Sequence, residues 1–305
     1  MEDGLRIPDP VPKDFLILIS QLIEQHHLQP IANDFWVGMG DISRLPGLYL
    51  LNHVTPAVNR GSQDGFIYTS HQNNYEIFQN AQAILGHGVF LSSNVKRVQR
   101  KSAEVDICLD TPSGQKLLNA KKLLVTAPPT LSNMGVFDLS PNERGLFAQF
   151  RSVGYYVSLV RIPELLSATN VSVWVNMNPE TPLNQPVLPA LYRVMPTDAK
   201  DAYVVEYGSQ NDIPEDDVRN GILDSVRKLM QHAGLGEQEP EILAFDSHTP
   251  YKLYVEADAI QSGFYSDLYA LQGQRNTFWS GAAFHMYQSS LLWKSTREIV
   301  DTMVG

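Results

Sequence analysis

The amino-acid sequence predicts an α/β (α+β) fold, and two observations carry that reading. Strand-like runs, such as the alternating 104-EVDICLD-110 and the run 202-AYVVEYGS-209, are interspersed with segments that read as helices. The chain is also large enough for a real core: 305 residues, 43 % of them hydrophobic and 18 % charged, suffice for one large domain or two smaller ones.

Taken in order, 14-DFLILISQLIEQHHLQ-29 reads as one amphipathic helix, with Asp14 as its N-cap and Pro30 beyond its end. Residues 31–70 are aromatic, glycine-dotted and irregular, with a short helix near 45–54. A helix is expected over 74-NYEIFQNAQAIL-85, again with an asparagine at its start. Three strands follow in 88–102, 104–111 and 121–128, joined by the turn signals SNVK and PSGQ. Residues 141–153 look helical. A second β-rich stretch places strands at 154–162, 171–176, 189–195 and 202–209. The helix 214-PEDDVRNGILDSVRKLMQHAG-234 opens on proline and acids, and closes on Lys228, His232 and Gly234. Residues 242–258 read as a strand and loop. No internal repeat or low-complexity tract is visible.

Composition narrows the function classes. A formal net charge of -10 argues against a nucleic-acid surface, which needs clustered Lys and Arg. The single cysteine, Cys108, sits in an alternating run and allows no intrachain disulfide, and nothing has zinc-ligand spacing. The acidic, proline-rich start has no secretory-signal pattern, and 15-FLILISQLI-23 is too short to span a bilayer. A cytoplasmic protein acting on a small molecule is the resulting expectation, and the sequon 170-NVS-172 is read as chance. No G-x-S-x-G elbow supports a serine hydrolase. His26 and His27 face different sides of their helix, and the run 215-EDD-217 suits a helix's first turn. Tyr251, Tyr254, Phe264, Tyr265 and Tyr269 read mainly as packing beneath a sheet.

The last element is the most informative. In 276-NTFWSGAAFHMYQSSLLWKSTREIVDTM-303 a β-prone run meets Gly281, Ala282 and Ala283, which let the backbone approach a bulky ligand. Ser289 or Ser290 can cap a helix running to about Met303, whose first N–H groups favour an anion or an oxygen-rich chain. His285 and Tyr287 follow the turn and are candidates to line a cofactor or substrate, with ordinary packing as the alternative.

The order of three segments resembles the flavin-containing amine oxidase family. The segment 121-KKLLVTAPPTLSNM-134 resembles the family strand before the crossing from the FAD domain into the substrate domain. The segment 88-GVFLSSNVKRVQR-100 is similar to the strand whose mid-strand valine meets the adenine through its backbone, here Val95. The segment 271-LQGQRNTFWSGAAFHMYQSSLLW-293 is similar to the C-terminal FAD motif, in the version of fungal secondary-metabolism flavoproteins related to β-cyclopiazonate dehydrogenase. The resemblance implies a partial FAD-binding Rossmann-like domain, 70–135 with 245–305, and a mixed-sheet substrate domain, 1–69 with 136–244. It implies FAD as cofactor, hydride transfer from a C–N or C–C bond, and Val95, Gly281, Ala282, Ala283, Ser289, Ser290 and Leu291 as cofactor-binding residues. Strands from 88–128 and 275–281 are expected to share one sheet.

The sequence departs from the family in two respects. Ala282 or Ala283 replaces the acidic residue usually found just after the C-terminal glycine, a variant at home in the fungal subgroup. No G-x-G-x-x-G unit occurs: 38-GMG-40 and 86-GHG-88 lack the third glycine and the following helix. The expectation is a family member without its pyrophosphate-binding βαβ unit, binding FAD weakly or not at all. It would present an open sheet edge that a protein partner could cover. A truncated, non-catalytic remnant or accessory protein is the alternative. Covalent flavin attachment through a C-terminal cysteine is excluded, because Cys108 lies far from the motif.

Overall fold

The computed structural model describes residues 4–32, 37–65, 67, 69–71, 73–236 and 238–305, apart from the side chains of 31, 57, 58, 62 and 182. The chain divides into two compact units. The first is Met1–Asp9, Leu51–Gln149 and Ser262–Gly305, and the second is Pro10–Leu50 and Phe150–Gln261. Residues 51–69 and 136–149 thus group with 70–135, while 245–261 group with the second unit.

In the first unit, β1 (Asn94–Arg100), β2 (Val105–Thr111) and β3 (Gly114–Ala120) form an antiparallel meander. One face buries Val98, Val105, Ile107 and Leu109 against Leu118, Leu123 and Phe137. The strand β4 (Leu123–Val125) stays outside this sheet and pairs in parallel with β11 (Thr277–Trp279). The single sheet expected from 88–128 and 275–281 is therefore two sheets. Short turns let β1–β3 pair in sequence order, whereas a parallel partner for β4 must arrive through a long crossover. Among the described residues neither β4 nor β11 pairs with a further strand. The helix Tyr75–Leu85 forms as expected, but Asn74 is helical rather than capping, and its side chain instead accepts from the Thr69 N–H.

A buried ionic cluster ties this unit together. The Arg100 side chain has no solvent exposure and donates to both oxygens of Glu143, and through Nε to Asp138 at 2.8 Å. Arg275 adds a second guanidinium on Asp138. Glu143 also closes a capping box with Ser140 at the start of the helix Pro141–Phe147. Burial alone would raise the Glu143 and Asp138 carboxyls, but hydrogen bonds and charge from Arg100 hold both below their ordinary values.

The second unit is built on β5 (Arg151–Arg161), β6 (Trp174–Val175), β7 (Ala190–Pro196), β8 (Ala202–Ser209), β9 (Glu241–Ser247) and β10 (Tyr251–Tyr254). The order is β10-β5-β8-β7-β6, with β9 also on β5, and the pairs are antiparallel. The helix Glu215–His232 covers one face, burying Val218, Ile222, Val226 and Met230 at four-residue spacing against Tyr156, Val160, Val194 and Val205. The single helix expected over 14–29 is broken into Lys13–Leu16 and Ile19–Gln25, so Asp14 is no N-cap. At the break, the Gly47 N–H donates to Ile17 O at 2.7 Å and the Ile19 N–H to Leu45 O at 2.8 Å. These tertiary bonds outweigh two more turns of helix.

The ionic cluster makes two predictions. Glu143→Ala would leave the Arg100 guanidinium buried with half its partners, lowering the unfolding free energy by about 3–5 kcal/mol in denaturant titrations. Because the folded carboxyls have depressed pKa values, their pairing contributes stability above the ordinary 4.5 of Glu143 and 3.8 of Asp138. That contribution should be lost as pH falls below those values, and thermal unfolding in the E143A variant should show a weaker acid dependence.

Candidate functional site

The stretch 271–281 is held by its own side chains. Leu271 is buried, and the Gly273 N–H donates to Thr277 O at 2.9 Å with Gly273 at φ +78°. Gln272 clamps the strand end at both polar groups of one residue: Nε2 donates to Trp279 O at 2.8 Å, and the Trp279 N–H donates to Oε1 at 2.9 Å. Arg275 and Asn276 adopt left-handed backbone, at φ 52° and 58°. Asn276 Nδ2 donates to the carbonyls of Lys101 and Ser102, and Arg275 reaches Asp138. The Trp279 ring packs edge-on to Phe147 at 5.1 Å. The sequence marks this motif as similar to a cofactor signature, and the structure gives its LQG and NT positions a scaffolding task.

The turn itself has a clear local cause. The Ser280 N–H donates to Val125 O at 2.9 Å, which extends the β4–β11 pairing by one bond. At Gly281, with φ +117°, an added Cβ would meet Thr126 O at 3.1 Å. The close approach that demands glycine is thus with the end of β4, and the conformation is one that side chains rarely adopt. Ala282 is half-buried and Ala283 buried.

His285 is 4 % exposed; its backbone O accepts from Asn52 Nδ2 at 2.9 Å, and its ring lies against Gly4. Tyr287 is 37 % exposed. The closing helix runs Ser289–Val304 with Gln288 as its N-cap and no side-chain cap bond, so neither Ser289 nor Ser290 caps it. Both serines lie exposed in the first turn, and Leu291 is half-buried. Leaving those first-turn N–H groups without a side-chain acceptor is what an oxygen-rich ligand requires. A hydrogen bond of 2.6 Å between Ser280 and Thr296 ties the helix to the strand end. Val95 lies on the other sheet, on the edge strand β1, 41 % exposed and beside a bulge in the pairing with β2. Among the described residues β1 is an edge strand, so a planar ring can approach it from one side, and in this respect the residues fit a flavin dinucleotide.

The second unit carries a polar–aromatic cluster that sequence reading missed. Tyr155 stacks on Tyr251 with centroids 4.7 Å apart at 27°, and His248 lies 5.9 Å from Tyr155. A Cβ on Gly38 would stand 3.3 Å from Tyr251 and 3.5 Å from Tyr155, so the backbone there hugs the ring pair. Near it, the Glu206 carboxylate is gripped by Arg193 Nε and, at 2.9 Å, by Arg193 Nη2. Burial, then the Glu206 charge and hydrogen bond, keep the Tyr155 hydroxyl protonated well above its ordinary pKa. Lys252, buried beside Tyr251 in the chain, is pushed down to about 7 by burial. Arg193 and Glu206 are single charges inside otherwise apolar strands, and they meet because β7 and β8 set them in directly paired register. No group of three or more His, Cys, Asp or Glu could hold a metal among the described residues.

Comparison with known proteins places the chain. It is 34 % identical over 324 residues to the FAD-dependent oxidoreductase oblC of Cochliobolus heterostrophus, across the whole of this chain and 65 % of that protein. It is 30 % identical over 308 residues to the β-cyclopiazonate dehydrogenase of Aspergillus flavus, across the whole of this chain and 67 % of that protein. The chain belongs to this family of FAD-dependent oxidoreductases. It spans about two-thirds of the length of these family members. No family model matches it. The family's fold is that of amine-oxidase-type flavoenzymes. A fatty acid isomerase from P. acnes superposes with a TM-score of 0.74 at 17 % identity, over 98 % of this chain and 69 % of its own. Cyclohexylamine oxidase from Brevibacterium oxydans gives 0.57 at 13 % identity, over 100 % and 73 %. No helix among the described residues is long and apolar enough to cross a membrane.

The geometry at Gly281 separates scaffold from cofactor. Gly281→Ala should destabilise the chain by about 1–3 kcal/mol even without flavin, since an unfavourable φ must be held. Equal unfolding midpoints for variant and parent would remove the structural reading of this glycine.

Proposed function

We propose that the chain works as an FAD-dependent oxidoreductase on a small-molecule, secondary-metabolite substrate, with the cofactor on the first unit and the substrate on the second. The observation that carries this is the parallel β4–β11 pair running through a left-handed Gly281 into an uncapped helix, in a chain whose relatives are FAD-dependent. In this reading the backbone at Val95 receives the adenine. Gly281, Ala282 and Ala283, with the helix N-terminus at Ser289, Ser290 and Leu291, receive the isoalloxazine–ribityl part. A bound flavin would supply the hydride acceptor for a C–N or C–C bond. The chain's own residues bind and orient. Tyr155 and Tyr251 offer a flat apolar platform for a planar part of the substrate, and the Arg193–Glu206 pair supplies polar groups on the same sheet. With its proton retained, the Tyr155 hydroxyl positions through hydrogen bonding and is no base.

A second reading is flavin binding without catalysis, since no G-x-G-x-x-G lies within these 305 residues, which span about two-thirds of the relatives' length. Flavin titration separates the two. The 305-residue chain alone should bind FAD weakly, because no glycine turn holds the pyrophosphate on a helix N-terminus. A fusion carrying a βαβ segment from a relative should turn yellow and be reduced by substrate. A fusion that binds flavin without reduction would support the second reading, and one that binds none would overturn both. Stoichiometric flavin on the chain alone would refute the dependence on a βαβ unit. In the active fusion, Tyr155→Phe should raise KM or lower kcat while leaving the flavin spectrum unchanged. A shifted spectrum with unaltered kinetics would move Tyr155 to the cofactor side.

A further inference from the structure

The second unit holds a cavity of about 450 Å³ between the β6–β7 edge of the sheet and the C-terminal half of the helix Glu215–His232. None of its lining residues belongs to the flavin or substrate assignment above. Trp174 and Leu229, both packed against the rim of the unit's core, and the buried Leu191 give it apolar walls. Ser225, Lys228 and His232 reach it from successive turns of one helix face, at spacings of three and four.

Its charge runs against the rest of the molecule. The sequence carries 33 acidic and 23 basic residues, yet no Asp or Glu lines this cavity. The nearby acids Asp224 and Glu239 are both engaged by Arg227, at 2.9 and 2.8 Å. Neither Lys228 nor His232 has an ion-pair partner among the described residues. An ammonium and an imidazole that can donate N–H therefore stand over an apolar floor with no protein anion opposite them. The volume is within the range of small-molecule sites, in which apolar walls bind and a few polar groups orient.

From this juxtaposition we infer that the cavity is a second small-molecule site, selective for an apolar monocarboxylate. The carboxylate lies at Lys228 and His232, and the hydrocarbon or ring body lies against Trp174, Leu191 and Leu229. An exposed lysine alone would bind anions indiscriminately; the apolar floor adds selectivity for a hydrophobic tail.

The full chain titrated with octanoate, followed by tryptophan emission, tests this. A saturable change is expected, lost in Trp174→Phe. Octan-1-ol should bind at least about tenfold more weakly than octanoate, the size of one charge-assisted hydrogen bond. Lys228→Gln combined with His232→Gln should remove that preference, and because both side chains are exposed the fold should be kept. No saturable change, a change that survives Trp174→Phe, equal affinity for octanol in the parent, or an unchanged octanoate affinity in the double variant would each overturn the proposal.

Discussion

A guanidinium with no solvent contact sets the frame of the first unit. Arg100 ends β1, and its partners come from the loop after β4 and from the helix Pro141–Phe147. Through Asp138 the same cluster reaches Arg275, in the turn that delivers β11. A buried charge tolerates few arrangements of its partners, so this cluster fixes where the turn before β11 can lie. With that turn placed, Gln272 holds the strand end, β11 meets β4, and the chain enters the closing helix at Gly281. Every residue of the candidate cofactor turn stands downstream of that arrangement.

The two units solve different physical problems. The second has a broad antiparallel sheet with a helix on one face, and its core follows from simple periodicity: apolar residues at every fourth helix position meet alternate strand residues. The first relies on polar fixings, because its parallel pair is only three residues long. Its strands lead into the turn and helix N-terminus proposed to hold the dinucleotide, and among the described residues the pairing leaves strand edges open.

Much of this was legible in the sequence. The helix at 214–234 announced itself through proline, acids and glycine, and the strands at 154–162, 189–195 and 202–209 through their β-rich composition. The family was legible from the GAA stretch and the order of three segments. What was not legible depended on distant partners. Nothing local tells that 14–29 must open to bond residues 45–47, or that β4 would leave the meander for β11. Nor does the sequence say that the glycine of the FAD motif is required by Thr126 and that the LQG glutamine clamps Trp279. The Tyr155 cluster was hidden because Arg193 and Glu206 become a pair only once β7 and β8 are in register.

The central claim is that the dinucleotide lies along β1 and the turn after β11. Hydrogen–deuterium exchange at saturating FAD tests it most directly. The account predicts slowed exchange at residues 94–97 and across 281–292, with the helix Glu215–His232 unchanged. Flavin-dependent protection confined to the second unit, with both first-unit segments exchanging as before, would contradict it.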